Sequence, residues 1–144
     1  MNSLFELEET DEEFNSLETL VLKGRIFPGK SEGAKFIRLR WVQRQIKEKL
    51  GFLPYRGTLN IRLTEESIGR KKALTRTNGL EILPATGYCG GKLFRAHLGN
   101  VECAVVFPEI ADYPEDVIEV IASVNLRRKL GLADGDFIKV DVMF

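Results

Sequence analysis

The chain has 144 residues, 44% of them hydrophobic, and its 21 Lys plus Arg balance 21 Asp plus Glu to a formal net charge of zero. That length supports one domain with a real core, and a neutral chain lacks the basic footprint of non-specific nucleic-acid binding. No run of about 18 apolar residues is available to cross a membrane, and the acidic N-terminus lacks the basic and apolar regions of a secretory signal.

Residues 1–18 hold seven acids and no Lys or Arg. They read as a flexible acidic leader ahead of a single domain over 19–144. A first strand is expected from Glu18 to Ile26, followed by a Gly-rich loop, Pro28-Gly29-Lys30-Ser31-Glu32-Gly33. Phe36-Ile37 reads as a short second strand. Leu39, Val42, Ile46 and Leu50 recur every three to four residues, which predicts a helix over 39–50, with Gly51 as its C-cap. Lys35, Arg38, Arg40, Arg44, Lys47 and Lys49 cluster here, as a solvated helix face or as a surface for phosphate-rich ligands.

Next comes a Pro/Gly turn and a strand over 58–63, in which Leu59, Ile61 and Leu63 alternate with Thr58, Asn60 and Arg62. Successive strand side chains point to opposite faces, so Thr58 and Asn60 project together, ~6.5–7 Å apart. A hydroxyl and a carboxamide oxygen in that arrangement can serve one hard cation or one phosphate. A wet hairpin edge is the plainer alternative.

The polar stretch 64–80 reads as a long excursion with a strand near its end. Strands are expected over 79–84 and 92–98, with Gly90-Gly91 as the hairpin turn between them. Val101 to Phe107 and Asp116 to Ala122 read as strands. Val124 to Leu130 reads as a short helix with basic residues at its C-terminal end and Gly131 after it. Asp134-Gly135-Asp136 turns the chain into a last strand, Phe137 to Val142. Many short strands, two short helices and no βαβ rhythm point to a mainly-β barrel.

Gly24-Arg25-Ile26-Phe27-Pro28-Gly29-Lys30-Ser31 matches the P-loop pattern GxxxxGK[ST] letter for letter. The pattern requires a helix starting at the Lys, which Gly33 and the Phe36-Ile37 pair argue against, and the chain lacks α/β alternation. Cys89, Cys103 and the single His97 form neither a disulfide framework nor a zinc pattern. A reducing, cytoplasmic setting is expected. Cys103 and His97 read as packed strand residues, Cys89 as part of a turn, and Trp41 and Phe52 as packing residues, with Phe52 or Tyr55 as candidates to border a ring-binding pocket.

The loop ending Ser31-Glu32-Gly33 and the string Leu50-Gly51-Phe52-Leu53-Pro54-Tyr55-Arg56-Gly57-Thr58-Leu59-Asn60 together resemble the archaeal-type CTP-dependent riboflavin kinases. The likeness continues in register through Phe107-Pro108, Val117 to Ala122, Leu126-Arg127 and Asp134-Gly135-Asp136, and covers about residues 20–144. It implies a small six-stranded cradle-loop barrel with one or two short helices. It implies transfer of the CTP γ-phosphate to the riboflavin 5′-hydroxyl, giving FMN and CDP. It implies Mg²⁺ at Thr58 and Asn60. Cytidine nucleotide binding would fall to Gly29, Lys30, Ser31, Glu32, Gly33 and Ala34, together with Val124, Asn125, Leu126 and Arg127. Flavin contact would fall to Glu119 and to position 111, where the family's hydroxyl residue is Ala111 here. The family's second loop glycine is Ser31, and its basic residue after the loop is Ala34, with Lys35 adjacent.

No strong general base stands out. Glu119 is the one candidate to orient or deprotonate an attacking hydroxyl, and Lys30, Lys35 and Arg127 are candidates to neutralise phosphate charge. Three readings stay open: a monomeric kinase without nucleic-acid or membrane partners, acting on riboflavin or another small acceptor; a nucleotide- or flavin-sensing module without turnover; and a DNA-binding regulator, which the neutral charge disfavours.

Overall fold

Leu20, Leu22 and Ile26 alternate with more polar neighbours along strand β1 (Thr19–Ile26), and the inward residues Leu22 and Ile26 are fully buried. The computed structural model describes residues 19–29 and 32–144. The acidic leader over 1–18, and Lys30 and Ser31 of the loop, lie outside the described residues.

After β1 the elements are helices α1 (Glu32–Ile37) and α2 (Arg40–Leu50), strand β2 (Leu59–Leu63), helix α3 (Glu65–Thr75), strands β3 (Leu80–Ile82), β4 (Gly91–Leu98), β5 (Val101–Pro108) and β6 (Val117–Ile121), helix α4 (Leu126–Leu130) and strand β7 (Phe137–Met143). All pairings are antiparallel, in the order β3-β4-β5-β6-β2-β1-β7. A β4–β7 pairing, Ala96 opposite Val142, closes six of these strands into a barrel and leaves β3 as an appended edge. Closure removes the exposed sheet edges that invite aggregation. The mainly-β barrel is thus as expected, with four helices among the described residues rather than two.

Strand alternation divides the apolar residues into two cores. Leu59, Ile61 and Leu63 of β2, with Ile118 and Val120 of β6, point into the barrel alongside Leu22, Val105 and Val140. The opposite face of β4, β5 and β6 supplies Leu93, Ala104, Val106 and Ile121, which pack against Phe36, Ile37, Val42 and Ile46 of α1 and α2. Gly51 ends α2 in the left-handed conformation at φ 83°, as a C-cap glycine should.

Three local expectations are corrected. Phe36-Ile37 is not a strand: both residues are buried in α1, whose short length leaves no helical period to read. Residues 65–75 form α3 rather than an irregular excursion. The inward positions of α3 are Ser67, Lys71 and Leu74, so the usual apolar stripe is missing. Its start was nonetheless signalled, because Thr64 caps the helix by accepting from the Ser67 N–H (3.3 Å), with Glu65 and Glu66 in the first turn. Finally, Gly90-Gly91 is not a tight hairpin turn. Residues 83–90 connect β3 to β4, and Gly91 begins the strand. A side chain on Gly90 would strike the Ile82 carbonyl, and one on Gly91 would come within 2.9 Å of the Phe107 carbonyl. These glycines permit close backbone approach rather than a turn.

Cys103 is buried in β5, and burial pushes its thiol up to about 12. Cys89 is partly exposed. The thiolate is the reactive form. A disulfide-exchange reagent at pH 8 should therefore titrate one thiol in the folded protein and two in denaturant.

Candidate functional site

The site lies on the outer face of β2 and β6. Asn60 is directly opposite Glu119 in the β2–β6 register, so both side chains leave the barrel on the same side. Leu59, Ile61, Ile118 and Val120 turn the other way, into the core. Thr58, two residues before Asn60, shares that outer face, and its hydroxyl donates to Glu119 Oε1 at 2.7 Å. The alternation read from the sequence therefore holds.

Glu119 is 1% exposed. A buried carboxylate is tolerated only when it is hydrogen-bonded or paired, and Glu119 meets that demand three times. Besides Thr58, the Gly33 N–H donates to Oε2 at 2.9 Å, and the Tyr113 hydroxyl donates to the same oxygen. Burial and the adjoining Glu119 charge push the Tyr113 phenol far above its ordinary value, so it stays a donor at neutral pH. With its oxygens engaged by three donors, Glu119 is built as an anchor rather than as a free base.

The Gly-rich loop closes over this face. The Phe27 N–H donates to the Asn60 carbonyl (3.1 Å), extending the β1–β2 ladder. Gly29 then lies over the Asn60 side chain, where an added Cβ would be 3.0 Å from Nδ2. Gly33 is buried, and a Cβ there would collide with the Glu119 carboxylate. Neither residue has a positive φ, so glycine is needed at Gly33 for space rather than for backbone angle. Helix α1 begins at Glu32, but Gly24 lies within β1, where its Cα faces the Arg62 carbonyl, and the sheet is antiparallel. The P-loop spelling thus does not correspond to a P-loop.

Asn60 is 4% exposed, and among the described residues its Oδ1 is a buried oxygen with no hydrogen-bond partner. Such an orphan calls for an explanation by an ion or ligand. The described residues contain no cluster of three or more His, Cys, Asp or Glu able to hold a metal. The available donor set is the carboxamide oxygen of Asn60 beside the hydroxyl of Thr58. That set fits a hard cation completed by waters and substrate phosphates, the usual manner of Mg²⁺.

Two cavities flank this pair. One, of about 130 Å³, is bordered by Tyr55, Thr58, Val124, Asn125, Leu126 and Arg127. Asn125 caps α4 by accepting from the Arg128 N–H and donates from Nδ2 to the Tyr55 hydroxyl (3.2 Å). Arg127 Nη2 pairs with Asp134 at 2.6 Å and donates to the Phe27 carbonyl at 3.4 Å, joining α4 to the root of the Gly-rich loop. The other cavity, of about 190 Å³, is bordered by Phe27, Gly29, Asn60, Arg62, Tyr113 and Glu119. Thr58 borders the first, Asn60 and Glu119 the second, and the Thr58–Glu119 hydrogen bond joins them.

The remaining expected residues are distributed as follows. Glu32 borders the second cavity. Leu126 is also part of the barrel core, and Val124 is exposed at the rim of the first cavity. Ala34 is half-buried in α1. Lys35 points to solvent and pairs with Glu32 (3.4 Å). Ala111 is exposed in the turn before Tyr113, and it is Tyr113 that borders the cavity beside Glu119. Sequence reasoning missed Tyr113 and Arg62. Arg62 shares the Thr58/Asn60 face and lies 4.3 Å over the Phe27 ring, a position the alternation already implied.

A closed barrel with a Gly-rich loop held over a pair of side-chain oxygens, between two cavities, is the architecture of a small-molecule-binding domain. Residues 26–142 match the family CTP-dep_RFKase, described as a domain of unknown function, DUF120. The chain belongs to this CTP-dependent riboflavin kinase family. It is 37% identical over 134 residues to a riboflavin kinase of Archaeoglobus fulgidus, covering 90% of this chain and 58% of that protein. It is 42% identical over 132 residues to one of Pyrobaculum aerophilum, covering 89% and 63%. A riboflavin kinase of Methanosarcina barkeri is 36% identical over 130 residues, covering 88% and 58%. The chain thus spans about three-fifths of the length of these relatives. No helix among the described residues is long and apolar enough to cross a membrane.

The Gly33–Glu119 latch has a direct readout. In Gly33→Ala the added methyl and the carboxylate cannot share their space. Amide exchange over residues 27–36 should accelerate at least tenfold, while β4 and β5 keep their protection; hydrogen-exchange mass spectrometry resolves the two regions.

Proposed function

We propose that the protein is a riboflavin kinase that transfers the γ-phosphate of CTP to the 5′-hydroxyl of riboflavin, releasing FMN and CDP. One observation carries this reading: Thr58 and the unpartnered Asn60 oxygen stand between two cavities, one on the α4 side and one on the Tyr113 side. A two-substrate transfer needs such a division, with cation-binding oxygens at the boundary. Membership of the kinase family and the printed names of the relatives support it.

In this reading the nucleotide lies against Tyr55, Val124, Asn125, Leu126 and Arg127, and under the loop that includes Gly29, Lys30, Ser31, Glu32 and Gly33. The acceptor lies on the side of Glu119, Tyr113 and Arg62, with Ala111 at its periphery. Thr58 and Asn60 hold Mg²⁺, which when bound neutralises phosphate charge. The chain's own work is positioning, which suits phosphoryl transfer, where orientation and electrostatics supply most of the rate. Glu119 keeps Thr58 and the loop in register, and its place beside the acceptor cavity suits substrate contact better than proton abstraction. Arg127, with guanidinium donors beyond those given to Asp134 and Phe27, can reach phosphate.

The test is a turnover assay with riboflavin, Mg²⁺ and either CTP or ATP, reading FMN by chromatography. FMN is expected with CTP and not with ATP, and EDTA should abolish it. Asn60→Ala and Thr58→Ala should each lower kcat by at least 100-fold without changing the far-UV circular dichroism, because both side chains lie outside the barrel core. Folded wild-type protein that forms no FMN with either nucleotide would overturn the reading and favour a sensing module.

A further inference from the structure

Behind the acceptor-side wall lies a buried cation that the reaction just described does not use. Lys71, in the middle of α3, is 7% exposed. Its ammonium donates to three carbonyls of one turn: Pro114 at 3.1 Å, Glu115 at 3.3 Å and Val117 at 2.8 Å. An ammonium has three N–H donors, and here each finds a carbonyl. The same group lies 5.7 Å from the centre of the Phe107 ring and 5.3 Å from that of Tyr113, within the range of cation–π attraction. Burial lowers its pKa, while Asp116, Glu115 and Glu119 act in the opposite direction.

The turn so pinned begins at Tyr113, whose hydroxyl donates to Glu119. The Tyr113 ring borders the 190 Å³ cavity beside Asn60 and Glu119. It also borders a larger cavity of about 340 Å³ on the far side, shared with Lys71, Lys92 and Phe107. The place of Tyr113 therefore sets the shape of the acceptor side. The α4-side cavity is bordered by residues 55–59 and 120–127, none of which receives a hydrogen bond from Lys71.

We propose that Lys71 is a positioning residue for the acceptor. By holding three carbonyls of the 113–117 turn it keeps Tyr113 on Glu119, and so fixes the wall against which a planar aromatic acceptor lies. The inference rests on the riboflavin reading above and extends it to a residue of α3 that touches neither substrate. Its signature is one-sided: loss of Lys71 weakens flavin binding and spares the nucleotide.

The experiment uses the full chain and two titrations, flavin affinity from quenching of FMN fluorescence and CDP affinity by calorimetry. In Lys71→Met, which keeps an unbranched apolar stem one atom shorter and without the charge, the Kd for FMN and for riboflavin should rise at least tenfold. The Kd for CDP should stay within twofold. Tyr113→Phe keeps the ring over Lys71 but loses the hydroxyl, and should weaken flavin binding in the same direction by a smaller factor. The double variant should be no worse than Lys71→Met alone, because both changes act through one contact. Unchanged flavin affinity in folded Lys71→Met, or an equal loss of CDP affinity, would overturn the proposal. Should Lys71→Met not fold, Tyr113→Phe decides, and unchanged flavin affinity there overturns it. A wild-type protein that binds CDP but no flavin overturns the acceptor reading and this inference together; wild-type flavin binding with unaffected variants overturns this inference alone.

Discussion

The structure of the site depends on one buried carboxylate. Glu119 projects from a strand whose other face fills the barrel, into a position with 1% exposure. A carboxylate in that setting would be strongly unfavourable without compensation. Three donors supply it, and they come from three distant parts of the chain: the Gly-rich loop at Gly33, the entry to β2 at Thr58 and the turn after β5 at Tyr113. Each donor brings its segment with it. The loop is drawn down over Asn60, the Thr58 hydroxyl is oriented with its proton toward Glu119, and the Tyr113 turn closes the third side. The desolvation of one group thereby organises three segments that lie far apart in the sequence.

The same logic explains the glycines around it. Gly33 leaves room for the carboxylate, Gly29 for the Asn60 side chain and Gly24 for the Arg62 carbonyl. None of these is a turn glycine in the left-handed region, unlike Gly51 and Gly131, which end α2 and α4. The site is assembled by close approach of backbone to side chain, which makes it intolerant of even one methyl group at Gly33.

What was legible in the sequence was whatever depends on period. The alternation of Leu59, Ile61 and Leu63 with Thr58 and Asn60 gives the two faces of β2 directly, and the spacing of Val42, Ile46 and Leu50 gives α2. What was not legible depends on contacts across the chain. Helix α3 was missed because its inward face holds Ser67 and Lys71, whose burial makes sense only once the Lys23 N–H is seen to donate to the Ser67 hydroxyl and the 114–117 carbonyls to accept from Lys71. Tyr113 carries no periodic signal, and its role arises from Glu119 on one side and Lys71 on the other. The Gly-rich loop was readable as a loop, but that Gly33 serves a residue 86 positions away was not.

The register of β2 against β6 has a consequence for how the protein matures. Because strand side chains alternate with period two, a slip of one residue would send Thr58 and Asn60 into the barrel and turn Leu59 and Ile61 outward. A misregistered molecule would bury two polar groups and remove the oxygens of both Thr58 and Asn60 from the outer face at once. Only the correctly zipped chain can gain stability from a ligand held on this face, so such a ligand would favour the native register over the slipped one.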